Sequence, residues 1–127
     1  MKIANQALFA VACVMAAASV LLAAYVAHLG GDLPAPALRS VQSALQLQQF
    51  HSLALLLVAW MGMGPRSHPL HMGSGVMFLL GLLMFSVNIE LIHLAGVDMF
   101  RAFTPYGGLA FVAGWLLLIG ALRAKSG

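Results

Sequence analysis

Hydrophobic and polar positions alternate along this chain in long blocks, not in the short periods of a soluble fold. Apolar runs are separated by Gly-, Pro- or charge-bearing connections at 30–36, 65–71 and 96–104. About 20 apolar residues cross a bilayer core as a helix, so the runs predict spans over 3–28, 41–64, 72–95 and 105–122. The second opens on polar turns (Arg39, Ser40, Gln42, Ser43, Gln46, Gln48, Gln49) before its apolar part at 50–64. It is expected to start in the headgroup region, with His51 a turn or two below the interface. Thr104-Pro105 has the form of a helix start, Thr as N-cap and Pro at the first helical position.

Composition sharpens this pattern. Of 127 residues, 62% are hydrophobic and 7% charged, against about 25% charged in a typical soluble domain. The expected fold is all-α: a single integral membrane domain, 1–127, built as a four-transmembrane-helix bundle. A cleaved signal peptide at Ala16-Ala17-Ala18 is disfavoured because the apolar run continues past it. Six Lys and Arg residues occur singly at segment edges, which suits topology determinants and not a nucleic-acid surface. Lys2, Arg66, Arg123 and Lys125 fall on one side and Arg39 and Arg101 on the other, predicting an N-in, C-in arrangement. The single Cys13 excludes an intramolecular disulfide and any CxxC motif.

Small residues recur within the spans. Ala12, Ala16, Ala24 and His28 lie at multiples of four, Ser74, Gly81 and Asn88 are seven apart, and Gly107, Ala110, Gly114 and Ala121 mark the last helix. Such seams let helices approach closely in lipid. Methionines 61, 63, 72, 77 and 84 are ordinary apolar filler.

The candidate chemistry lies in SVNIELIH at 86–93, where Glu90 is the one acidic residue inside an apolar run. A charged side chain at mid-bilayer costs roughly 2.5–3.5 kcal/mol on insertion scales, so Glu90 needs a partner, a proton or a role. His93 is three residues on and Asn88 two before. The predicted topology puts His28, His51, Glu90 and His93 toward the same, non-cytoplasmic side. Three chemistries suit such a set: a transition-metal site, haem or a quinone headgroup held by histidine, and a proton relay or transport element. Structural hydrogen bonding between helices stands beside them. His68 and His71 form either a solvated loop pair or a surface metal site. No nucleophile–base pair, phosphate loop or dinucleotide fingerprint is present, which argues against a hydrolase or a nucleotide-using enzyme.

Ala27-His28, the run QFHSLALL at 49–56, FLLGLLMFS at 78–86, and TPYGGLAFVAGW at 104–115 together resemble the small membrane proteins called domain of unknown function 423, which include transmembrane protein 256-like proteins. The last block is the most specific, with Thr104, Pro105, Gly107, Gly108, Gly114 and Trp115 as a helix-packing motif. The resemblance implies a four-helix bacterial inner-membrane protein without established activity, and it marks His28 and His51 as family positions. The family surrounds its first histidine with glycines and continues its third helix with small uncharged residues. Here stand Ala23-Ala24-Tyr25-Val26-Ala27 and then Asn88, Glu90 and His93. The function expected is non-catalytic: an accessory, assembly or structural partner in the bilayer, contacting other subunits or its own copies and no nucleic acid. The alternatives are the cofactor site and the relay above.

Overall fold

Each apolar run becomes one long helix in the computed structural model, which describes residues 2–126 and the side chains of residues 2–123. Helix α1 is Lys2–Leu29, α2 is Ala35–Met63, α3 is Pro69–Ala95 and α4 is Thr104–Ser126. All four are long and apolar enough to cross a membrane. One-turn 3-10 segments, Gly30–Asp32 and Arg101–Phe103, sit in the first and third connections. Lys125, placed with the basic residues of one end, lies outside the residues whose side chains are described.

The helices form two antiparallel hairpins, α1 with α2 and α3 with α4, joined along α2 and α3. The inner pair is therefore better buried than α1 or α4. The core runs through Leu8, Ala12, Leu55, Val58, Phe78, Leu82 and Phe111. A smaller cluster of Val26, Val41 and Leu45 closes the other end. Lipid supplies no hydrophobic drive between helices, so polar clips carry weight. Asn5 donates to the Gly62 carbonyl at 3.3 Å, Gln48 to Met15 at 2.9 Å and the Ser74 hydroxyl to Gly114 at 2.8 Å. Each joins two helices through a backbone oxygen.

Helix α3 is not uniform. It is α-helical over Pro69–Gly81, widens into π turns over Leu82–Val87, recovers at Asn88–Glu90 and widens again over Leu91–Ala95. Gly96 ends it in the left-handed region at φ 72°, a conformation glycine adopts without a Cβ penalty. Thr104 corrects an expectation. Its backbone is helical (φ −53°, ψ −50°) because the preceding 3-10 turn runs straight into α4. It is thus no N-cap, and its hydroxyl instead accepts from Asn88 at 3.1 Å.

Candidate functional site

The most completely built polar feature surrounds His51. It projects from the middle of α2 into the space between α3 and α4, where it is 4% exposed. Its Nδ1 lies 2.9 Å from the Leu47 carbonyl, which can only accept, so Nδ1 carries the proton. Its Nε2 lies 3.1 Å from the indole nitrogen of Trp115, which can only donate, so Nε2 is the acceptor. Both ring nitrogens are engaged in one neutral tautomer. The ring stacks on Phe111 (centroids 3.7 Å apart, planes 13° apart) and meets Phe78 at 5.5 Å and Phe50 at 5.1 Å. Phe50 and Trp115, both partly exposed and 5.5 Å apart, stand at the outer edge of this cluster.

Glycines make room for it. A Cβ on Gly114 would lie 2.6 Å from the Phe78 ring, and one on Gly81 would collide with Phe111. Gly107 meets the backbone of Phe85 in the same way, whereas Gly108 faces open space and Pro105 is exposed. The seam of Ser74, Gly81 and Asn88 packs toward α4 along its whole length: Ser74 through the Gly114 carbonyl, Gly81 through Phe111 and Asn88 through Thr104.

The second polar feature is the outer third of α3. Asn88 Nδ2 donates to the carbonyls of Met84 (3.2 Å) and Phe100 (2.5 Å) and to Thr104. This ties α3 to the connection before α4. Ser86, Asn88 and Glu90 are all buried, yet Ser86 Oγ, Asn88 Oδ1 and Glu90 Oε1 have no hydrogen-bond partner. Gln48 Oε1 and Ser52 Oγ on α2 share that condition. His93, half-buried in the second π segment, is joined to Glu90 by neither a hydrogen bond nor an ion pair among the described residues.

The structure does not bring the predicted constellation together. His51 sits beside Phe78, twelve residues before Glu90, or roughly 15–18 Å along the helix axis. No side chain spans that gap. His51 is accordingly mid-helix in α2, not near its outer end. His28 is exposed on the far face of α1. The reason is geometric: a four-residue step advances about 40° around a helix, so Ala12 is buried while Ala24 and His28 have rotated outward. The helix instead buries Asn5, Leu8, Ala12, Ser19 and Val26, spaced by three, four and seven. No three His, Cys, Asp or Glu side chains among the described residues are placed to hold a metal ion. The loop pair caps α3: His68 Nδ1 accepts from the Leu70 N–H and His71 Nδ1 from the His68 N–H, each at 3.1 Å.

Sequence reasoning misses Trp115 as the donor to His51. The one signal for it is that a tryptophan in lipid seeks an acceptor for its N–H, and His51 is a polar acceptor inside an apolar run.

These features define a polytopic helical membrane protein, with its polar groups inside the bundle divided between two regions. The chain belongs to the family described as "Protein of unknown function (DUF423)", which matches residues 22–108. It is 36% identical over 108 residues to the UPF0382 inner membrane protein YgdD of Escherichia coli (strain K12), covering 84% of this chain and 82% of that one. A UPF0382 membrane protein of Haemophilus influenzae is 33% identical (84% and 86% covered), and YwdK of Bacillus subtilis is 27% identical (77% and 80% covered). No solved structure matches the chain significantly.

Proposed function

We propose that this protein is a non-catalytic accessory subunit that docks on a membrane partner through the outward face of α1, with both termini in the cytoplasm. The observation that carries this reading is a row of small residues on that face, set among the exposed Ile3, Val14, Val20 and Leu21. Ala10, Cys13, Ala17, Ala24 and His28 are all exposed, on the side of the helix opposite Asn5, Leu8, Ala12, Ser19 and Val26. Small residues on a lipid-facing helix allow a second backbone to approach closely. The polar side chains inside the bundle support the same reading. Trp115 donates to His51, Ser74 to Gly114 and Asn88 to Phe100 and Thr104, each across to a neighbouring helix or connection, as structural glue does.

The partner is either another membrane subunit or a second copy of this chain, and Cys13 distinguishes them. Mild oxidation in native membranes yields a Cys13-linked dimer for a homo-oligomer, and a photo-crosslinker at position 17 captures a different chain for a hetero-complex. Ala17→Leu is expected to abolish the association while leaving the thermal stability of the isolated protein unchanged. Retained association in that variant, or a protein that stays monomeric and uncrosslinked in membranes, would sink the proposal. Reporter fusions at both ends test the orientation, and a periplasmic readout at either one overturns that part.

A further inference from the structure

Helix α2 carries a stripe of free amides. Gln42, Gln46 and Gln49 are spaced by four and three, so they share one helix face. All three are exposed, and none of these side chains has a hydrogen-bond partner among the described residues. With 29 residues, α2 is about 43 Å long by helical rise, against a hydrocarbon core of about 30 Å. The excess falls at its polar start, which puts Gln42 in the headgroup layer and Gln46 and Gln49 about 6 and 10 Å deeper. A carboxamide at that depth is costly unless something bonds to it.

These amides line a groove between α1 and α2. Its first part, about 240 Å³, lies between Ala23 and Ala27 of α1 and the three glutamines, over Val26 and Leu45. Gln49 also lines the part below it, about 280 Å³, whose walls include Ala16, Val20, Leu53 and Leu56, so the two run together along the helix pair. Ser19 and Ser52 lie in the floor of that lower part, each 1% exposed, and leave its surface apolar. Among the described residues no charged side chain lines either part. The groove therefore offers uncharged hydrogen-bonding groups at one end and apolar surface toward the bilayer centre. A carboxamide sets donors beside an acceptor. Hydroxyls on adjacent carbons match that pair, one giving and one taking a bond, whereas a methyl or quaternary ammonium group matches neither half.

We infer that this groove binds a lipid with a hydroxylated headgroup, its adjacent hydroxyls on the amides of Gln42, Gln46 and Gln49 and one chain laid along Ala16, Val20, Leu53 and Leu56. Headgroup hydroxyls satisfy amides that hydrocarbon leaves unpaired, and the apolar length below them holds the chain. Ala16, Ala23 and Ala27 are not the small residues of the α1 docking row, and the lipid site does not depend on a partner there.

The experiment is native mass spectrometry of the intact protein, delipidated in mild detergent and titrated separately with phosphatidylglycerol and phosphatidylmethanol of the same acyl chains. The two lipids carry the same charge, and only the first has hydroxyls on its headgroup. Phosphatidylglycerol is expected to bind about fivefold more tightly, the worth of one net hydrogen bond. Replacing the three exposed amides together (Gln42→Leu, Gln46→Leu, Gln49→Leu) is expected to bring the two lipids level. Ser43→Ala, exposed on another face of α2, should keep the preference. Equal binding of the two lipids by the unaltered protein overturns the inference whether or not a variant folds. So does a preference that survives the triple replacement, or full displacement by soluble glycerophosphoglycerol, which would make the groove a site for a free polyol. An oligomer that the triple replacement dissociates, with no lipid preference in the unaltered protein, would assign the amides to a protein partner instead.

Discussion

His51 and Glu90 are both polar residues buried in an apolar helix, and they have opposite surroundings. Around His51 every nitrogen has a counterpart of the right kind, Leu47 accepting and Trp115 donating, and the ring is sandwiched by aromatics that two glycines accommodate. Around Glu90 the buried atoms left over are oxygens: Ser86 Oγ, Asn88 Oδ1 and Glu90 Oε1. The backbone differs in parallel. α2 is regular through His51, whereas α3 opens into π turns on both sides of Glu90. Such turns occur often at functional positions. The contrast separates a polar group whose bonds are all made from one whose buried oxygen has no partner, and the two stand too far apart to act as one centre.

The contrast can be broken experimentally, beginning with its best-packed part. Gly114→Val drives methyl groups into the Phe78 ring and is expected to cost about 3 kcal/mol, at the upper end for overpacking, in reversible denaturant unfolding in detergent. His51→Ala leaves a cavity beside Phe111 and an indole N–H without its acceptor, and about 2 kcal/mol should be lost. Trp115→Phe keeps the ring and removes the donor. It should cost about 1 kcal/mol, and a double-mutant cycle with His51→Ala should give a coupling of about 0.6–1.7 kcal/mol. Asn88→Ala releases Phe100 and Thr104 from α3, with an expected loss of about 1 kcal/mol and faster proteolysis of the 96–103 connection. Glu90→Gln is the smallest effect. A carboxamide keeps the shape of the side chain and removes its ionisable group from the buried site, so stability should hold within about 0.5 kcal/mol or rise. A large loss there would mean that the carboxylate is itself cement and would erase the distinction.

Much of this architecture is legible as hydropathy. The four helices follow from the apolar runs. The seven-residue spacing of Ser74, Gly81 and Asn88 points to a packed seam, and Gly107 and Gly114 to close approach. Rotation and register are hidden. His28 belongs to a four-residue series that looks like one stripe on paper but drifts around the helix, and the true contact face follows the steps from Asn5 to Val26. The depth of His51 depends on which residue of α3 it meets, and side-chain fit against Phe78 and Phe111 decides that, not hydrophobicity. Thr104 marks the start of the last helix as its pattern predicts, but it has helical backbone angles and follows a 3-10 turn, so it is not the N-cap.

Nitrogen NMR of the His51 imidazole in a membrane mimetic tests most directly whether His51 is a closed hydrogen-bond acceptor for Trp115, independent of Glu90. The expected spectrum is that of a neutral ring protonated on Nδ1, with an Nε2 resonance that shifts in Trp115→Phe and stays in place in Glu90→Gln. An Nε2 resonance that moves with Glu90 and ignores Trp115 would contradict it.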